Sequence, residues 1–396
     1  MSNTQTKNVP ELRFPGFEGE YSLDIFGNLA TNKSDKFNPQ NENASIDIEL
    51  DCIEQNTGRL IKIYNSKEFS SQKNKFNPQN VLYGKLRPYL NKYYFTKKSG
   101  VCSSEIWVLK STKEDKLLNL FLYYFIQTKR YSDVASKSAG SKMPRADWGL
   151  IENIRVYFPE LCEQQKIGEF FSKLDRQIEL EEQKLELLQQ QKKGYMQKIF
   201  SQELRFKDEN GNDYPEWVVK LIGDIGKVAM NKRIYKHETS ANEEIPFYKI
   251  GNFGKKADTF ISREQFNEYK EKYPYPKKGD ILISASGSIG KTIEYKGEEA
   301  YYQDSNIVWL DHNEEVLNVF LKYFYILVKW NGVEGTIIKR LYNKNILNTK
   351  IDLPTISEQQ KIGDFFCYID NLIEIQEQKL EFLKRRKQSL LQKMFV

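Results

Sequence analysis

The sequence predicts an α+β protein assembled twice over: two globular α+β domains and two long helices that pair with each other. Three observations predict it. A stretch of about 40 residues occurs twice, with Pro354 standing 195 residues after Pro159 and no gap through Phe200 and Phe395. Each copy repeats apolar residues at the 3–4 spacing of a helix. The segments before the copies are short β-rich runs broken by Gly, Asn and Pro, each closing on a helical run.

The division that follows is 1–158, a first globular domain; 159–202, a first arm; 203–353, a second globular domain; and 354–396, a second arm. In the first domain, 80–89 reads as strand and turn, 102–109 as a strand and 118–127 as a helix. In the second, 278–284, 303–310 and 316–328 hold the corresponding places. A weaker repeat links Glu11-Leu-Arg-Phe14 to Glu203-Leu-Arg-Phe206.

The first arm carries Glu163-Gln-Gln-Lys-Ile-Gly168 followed by Phe170 and Phe171. The second carries Glu358-Gln-Gln-Lys-Ile-Gly363 followed by Phe365 and Phe366. The first seam reads Ile167, Phe171, Leu174, Ile178, Glu181, Leu185, Leu188, Lys192, Tyr195, Ile199. The second reads Ile362, Phe366, Ile369, Ile373, Gln376, Leu380, Leu383, Lys387, Leu390, Met394. Both are heptad seams, and both break with a polar residue at the same two places, Glu181/Gln376 and Lys192/Lys387. Polar seam positions fix register. Acids gather early and bases late in each arm, which suits the helix dipole, and Thr355-x-x-Glu358 has the pattern of a capping box. Such a helix is about 57 Å long and cannot bury its seam alone. Two matched seams in one chain are expected to bury each other. The arm starts, Phe170, Phe171, Phe365 and Phe366, are expected to present apolar surface for a partner to cover.

Composition narrows the function. The chain has 396 residues, 39% hydrophobic, 29% charged and 13% aromatic, which is a globular rather than a disordered balance. Its apolar runs are shorter than the roughly 18–20 residues that span a bilayer, and residues 1–10 are polar, so the expectation is a cytoplasmic protein without a membrane partner. Four scattered cysteines and two histidines, with no CxxC pair, speak against zinc and against a Ser-His-Asp mechanism. Two motifs are decoys. Residues 285–292, Ala-Ser-Gly-Ser-Ile-Gly-Lys-Thr, resemble a P-loop, but a short β-like run follows where a helix should bind phosphate. They read instead as a Gly/Ser turn carrying Lys291 at its tip. Asn38-Pro39-Gln40 and Asn77-Pro78-Gln79 lack the second Pro and the aromatic of an adenine-methyltransferase signature and read as turns. No convincing nuclease site accompanies them, so no catalytic role is expected.

The net charge is +6. The arms are nearly neutral, with seven acids and seven bases over 163–200 and six and seven over 358–395, so the positive excess lies in the domains. That distribution suits DNA-facing heads. Long cationic and amide side chains are what phosphates and base edges accept. The candidates are Lys85, Arg87, Tyr89, Lys142 and Arg145 in the first domain. In the second they are Lys232, Arg233, Tyr235, Lys291 and Arg340.

With the duplicated Glu-Gln-Gln-Lys-Ile-Gly runs, their following Phe pairs and preceding prolines, the chain resembles the specificity subunit of a type I restriction–modification system. Residues 278–283 and the run from Gln303 to Asn306 also resemble target recognition domains of that family, which adds Gln303 and Asn306 to the candidates. The resemblance implies that each domain reads one half of a bipartite site in double-stranded DNA. The arms, paired antiparallel about a pseudo-twofold axis, would act as a ruler and dock two modification subunits. Arm residues assigned to pairing and docking are Ile167, Phe170, Phe171, Leu174, Ile178, Leu185, Leu188, Ile362, Phe365, Phe366, Ile369, Ile373, Leu380 and Leu383. It implies no cofactor on this chain: S-adenosylmethionine, ATP and magnesium would belong to modification and restriction subunits. Two other readings remain at this stage. One is a bivalent coiled-coil adaptor for proteins; the other is a specificity subunit whose one partner both methylates and cuts.

Overall fold

The computed structural model describes residues 8–43, 45–137, 143–330 and 340–396. The chain divides into two compact units: Met1–Lys184 with Gln376–Val396, and Leu185–Ile375. Both arms are therefore shared, and each unit holds one globular head and one stretch of paired helix.

In the first unit the strands are β1 (Ser22–Ile25), β2 (Ala30–Thr31), β3 (Lys36–Phe37), β4 (Ile46–Ile48), β5 (Tyr64–Asn65) and β6 (Lys73–Phe76). They continue as β7 (Val81–Gly84), β8 (Tyr93–Phe95), β9 (Gly100–Cys102), β10 (Ile106–Ser111) and β11 (Arg155–Phe158). A four-stranded sheet runs β2-β10-β7-β8 and a five-stranded sheet β3-β6-β9-β4-β5. Strands β7 and β10 are almost wholly buried, as their continuous apolar runs require. Antiparallel β1 and β11 form a ribbon that leads into the first arm.

The second unit adds β12 (Val218–Leu221), β13 (Gly226–Ala229), β14 (Ile245–Tyr248), β15 (Phe260–Ile261) and β16 (Ile281–Ser284). After these come β17 (Thr292–Glu294), β18 (Tyr301–Tyr302), β19 (Ile307–His312) and β20 (Lys350–Leu353). Its four-stranded sheet, β13-β19-β16-β17, repeats the order found in the first head. A β12–β20 ribbon and a three-stranded β15-β14-β18 sheet complete it. The anticipated domain helices are Asn119–Phe125 and Asn318–Leu327.

The heads diverge beside β4 and β14. In the first, Lys73 is 1% exposed, 2.9 Å from the fully buried Asp47 and paired also with Glu49. Burial pushes the Asp47 carboxyl up, and the Lys73 ammonium opposes that shift. At the matching strand pair the second head buries Phe247 and Tyr301 instead.

The arms are single helices, Leu161–Phe200 and Ile356–Met394. Their direction is readable inside each unit. In the first, Asp175 meets Lys387 at 2.6 Å and Glu182 meets Lys384 at 2.6 Å, so numbers rise on one arm as they fall on the other. In the second, Lys192 meets Asp370 at 2.5 Å and the Tyr195 ring lies 5.3 Å from Phe365. The pairing is antiparallel. The seam shifts phase near its end: Met196 and Leu391 are buried where Tyr195 and Leu390 were expected. There each arm packs on the other copy's head as well as on the other arm, and the buried face widens; Phe395, for example, lies 4.8 Å from Phe121, and Phe200 5.3 Å from Phe320.

The repeated hexapeptide fastens head to arm. Glu163, buried in the first turn, accepts from Arg13 Nε at 2.9 Å and Nη2 at 2.7 Å, and from the Tyr21 hydroxyl at 3.2 Å. Glu358 accepts from Arg205 Nε at 3.2 Å and Nη2 at 2.8 Å, and from Trp217 Nε1 at 3.0 Å. The Thr355 hydroxyl accepts from the Glu358 N–H at 3.4 Å, but the Glu358 carboxylate serves Arg205, so the capping box is half made. Gln164 Oε1 accepts from the Leu118 N–H at 2.9 Å, and its amide donates to the carbonyls of Lys116 and Pro159. Gln359 does the same with Leu317, Glu315 and Pro354. Each glutamine thus holds the residue that opens the head helix.

Gly168 and Gly363 let that helix approach. A Cβ on Gly168 would lie 2.6 Å from Leu120, and one on Gly363 2.5 Å from Val319. Gly168→Ala and Gly363→Ala should each cost about 1–3 kcal/mol. Gly194 has nothing within 4 Å of its Cβ position, so Gly194→Ala should stabilise by roughly 0.5–1 kcal/mol. Urea or thermal melts of the three variants check the contrast.

Candidate nucleic-acid interface

The buried sheet in each head ends in a loop that meets a distant segment. In the first head, β7 exits into residues 85–90. The Ala146 N–H donates to the Lys85 carbonyl at 2.8 Å, and Leu86 forms an isolated bridge with Arg145. Lys85, Arg87, Tyr89 and Arg145 are thereby brought to one edge; Lys85 is half-buried and the other three are exposed. Arg145 Nε stands 3.0 Å from Glu105. Lys142 lies outside the described residues.

The second head repeats the device. The Leu341 N–H donates to the Ala285 carbonyl at 2.8 Å, and Ser286 bridges Arg340. Arg340 Nη2 donates to the Ser305 carbonyl at 3.1 Å, and Arg233 Nε pairs with Asp304 at 3.0 Å. Arg233, Arg340 and Asn306 therefore gather around one turn. The Asn306 Oδ1 accepts from the Ser286 hydroxyl at 2.7 Å, and the Gln303 Oε1 from the Ile250 N–H at 3.0 Å, so both oxygens are taken by the scaffold. Exposed Lys232 covers the Tyr273 ring, and exposed Tyr235 stacks on His237. Lys291 stands apart: its ammonium donates to the Phe253 carbonyl at 2.6 Å. Residues 285–291 do form a strand-to-strand turn, with Gly287 and Gly290 at positive φ and β17 following. Both Asn-Pro-Gln runs are also turns.

Along the arms, Ile167, Phe171, Leu174, Ile178, Ile362, Phe366, Ile369, Leu380 and Leu383 are buried, and Leu185, Leu188 and Ile373 half-buried. The expectation for Phe170 and Phe365 needs correction. Phe14 lies edge-on to Phe170 at 5.5 Å, and Phe206 to Phe365 at 5.5 Å, so the chain covers its own arm starts. The weak Leu-Arg-Phe repeat carried this signal: its Arg clamps the buried Glu and its Phe caps the arm.

The polar seam positions meet partners. In the first unit Gln376 donates to the Glu181 carboxylate at 2.7 Å, and Lys379 pairs with the same group at 2.5 Å. These contacts, the Gln376 amide first, hold the Glu181 carboxyl below the usual carboxylate range. Its contribution is complete above that usual range and fades as pH falls through the lowered value. Lys387 and Lys192 each find an Asp that also accepts from a head tyrosine: Tyr124 to Asp175 at 3.0 Å, Tyr323 to Asp370 at 2.8 Å. Burial pushes both phenols far above their ordinary value, reinforced at Tyr124 by the Asp175 charge and at Tyr323 by the hydrogen bond with Cys367 and then by Asp370.

The solvent side of the arms is not wholly polar. The first unit exposes Leu180 and Phe382, and the second exposes Leu187 and Ile375. Leu180 and Ile375 are repeat mates, as are Leu187 and Phe382, so each unit presents the same pair of positions. A cleft of about 1070 Å³ in the first unit is bounded by residues 55–60 and both arms. Cations outnumber acids in its lining, six to three, and Arg59 and Lys384 share Glu182. Among the described residues no cluster of three His, Cys, Asp or Glu is placed to hold a metal, and no helix is long and apolar enough to cross a membrane.

A family model described as the type I restriction modification DNA specificity domain matches twice, over residues 20–190 and 214–385. The chain is 41% identical over 261 residues to a Haemophilus influenzae protein named "Putative type I restriction enzyme specificity subunit S.HindORF215P". That match spans 63% of each chain, less than two thirds of the relative's length. The type I restriction enzyme MjaVIII specificity subunit of Methanocaldococcus jannaschii is 27% identical over 321 residues, 75% of this chain and 74% of that one. Among solved structures, the type I restriction–modification S subunit from M. genitalium matches with a TM-score of 0.57 at 16% identity, over 98% of this chain and 99% of that one. At such identity the likeness concerns the fold.

A double-mutant cycle on Asp175→Asn and Lys387→Met should give a coupling of about 1–2 kcal/mol in chemical denaturation. The more exposed Asp370–Lys192 pair should couple less. Vanishing couplings at both pairs would show that the polar layers do not hold the register.

Proposed function

The chain belongs to the type I restriction–modification DNA specificity family, and we propose that it is the non-catalytic subunit that tells such a complex where to act. Each head reads one half of a bipartite DNA sequence through base and phosphate contacts. The paired arms set the unread gap and dock two modification subunits, and restriction subunits join that assembly. S-adenosylmethionine, ATP and magnesium are bound by those partners, and the assembled complex methylates adenine and cuts DNA, in the cytoplasm where the DNA is. The observation that carries this reading is the duplication itself: one scaffold and one sheet order, built twice, with unlike polar loops at the sheet ends. The paired exposures, Leu180 with Phe382 and Leu187 with Ile375, give each unit the same apolar contact for one copy of a common partner.

Co-expression with the modification subunit in a methylation-free host, followed by sequencing for modified adenine, tests the reading. A split motif with two defined halves and a constant gap is expected. Replacing residues 21–158 by another member's first head should change one half-site and leave the other. Scrambling of both halves together would refute independent reading. Binding of the assembled complex to its site should weaken steeply with salt, because phosphate contacts release counterions. A protein adaptor would show neither methylation nor that salt response.

A further inference from the structure

Arg87 stands at a backbone position that the other head gives to glycine. The two loops leave their sheets in the same way. Gly84 pairs with Ile106 as Ser284 pairs with Ile307, and Leu86 bridges Arg145 as Ser286 bridges Arg340. The next residue is left-handed in both, Gly287 with φ +64° and Arg87 with φ +52°. Glycine takes this conformation freely, whereas a residue with a Cβ is disfavoured there. The position is also pinned. The Arg87 N–H donates to the Pro144 carbonyl at 2.7 Å, and Pro88 follows.

The chain's own contacts give no reason for an arginine. Arg87 is exposed, and among the described residues its guanidinium has no hydrogen bond or ion pair. The other candidate arginines differ: Arg145 is tied to Glu105, and in the second head Arg233 is tied to Asp304 and Arg340 to the Ser305 carbonyl. A disfavoured backbone held in place beneath an unengaged side chain marks a function outside the fold.

We propose that Arg87 is a specificity-determining residue of the first head, reading a guanine in the first half-site. The inference rests on the DNA-reading function proposed above. A guanidinium on a fixed backbone presents two parallel donors to guanine O6 and N7. A phosphate contact asks for less, since a flexible cation such as Lys85 supplies the charge from an unconstrained residue.

The experiment compares wild type with Arg87→Gly and Arg87→Lys, each as the full chain co-expressed with its modification subunit, by sequencing modified adenine and by melting the purified complexes. Arg87→Gly should melt at or above the wild-type temperature. Its motif should lose discrimination at one guanine of the first half-site by about 5- to 150-fold, with the second half unchanged. Arg87→Lys should relax the same position, because an ammonium cannot fork. An unchanged motif at unchanged occupancy overturns the proposal. So does a uniform fall in methylation with the motif intact, which identifies a phosphate contact, and so does a lower melting temperature, which identifies a structural role. If wild type itself produced no split motif, the specificity-subunit reading would fail, and this inference with it.

Discussion

A carboxylate buried in the first turn of each arm organises the rest of the molecule. Glu163 and Glu358 are out of water, and an unpaired charge there would be destabilising by several kcal/mol. Each is met by a two-pronged arginine from the segment that precedes its head, together with one aromatic donor. The contact draws the chain segment, the ribbon and the arm together. It fixes where the adjacent glutamine can reach the head helix, and hence which face of the arm remains for the other arm. Head orientation and helix pairing are thus coupled to one ion pair per unit, and the glycine four residues after the glutamine keeps the spacing close enough for it to form.

The arms were legible in the sequence because a 3–4 spacing sustained for 40 residues admits few alternatives, and because the polar breaks recur at matched positions. The buried strand runs before and after the polar loops were legible too, but their order in the four-stranded sheets came only with the structure. What sequence could not supply was the destination of individual side chains. Phe170 looked like apolar surface left for a partner and is covered by Phe14; Glu358 looked like half of a capping box and is a clamp. In both cases the deciding partner lies about 150 residues away, beyond the reach of local periodicity. The weak Leu-Arg-Phe repeat held the needed hint, since a residue pair duplicated alongside the arms had reason to touch them.

The candidate recognition residues were the least legible part, and the fold explains why. The scaffold beneath them is duplicated, but the loops that carry them are not, so neither head predicts the other's contacts. The divergence reaches the interior: the first head buries Lys73 with Asp47 where the second buries Phe247 and Tyr301. The strands that end at these loops pair with one another in the sheet, so the scaffold holds whatever residues the loops carry.

The two Lys–Asp locks carry an evolutionary consequence. Asp175 precedes Lys192 by the same number of residues as Asp370 precedes Lys387, and each lysine answers the other arm's aspartate. An insertion in one arm between its lock residues would leave one lock out of step with the other. Viable length variants should therefore be inherited as matched pairs of insertions, one in each half of the gene, and the surest way to produce such pairs is to copy one half onto the other.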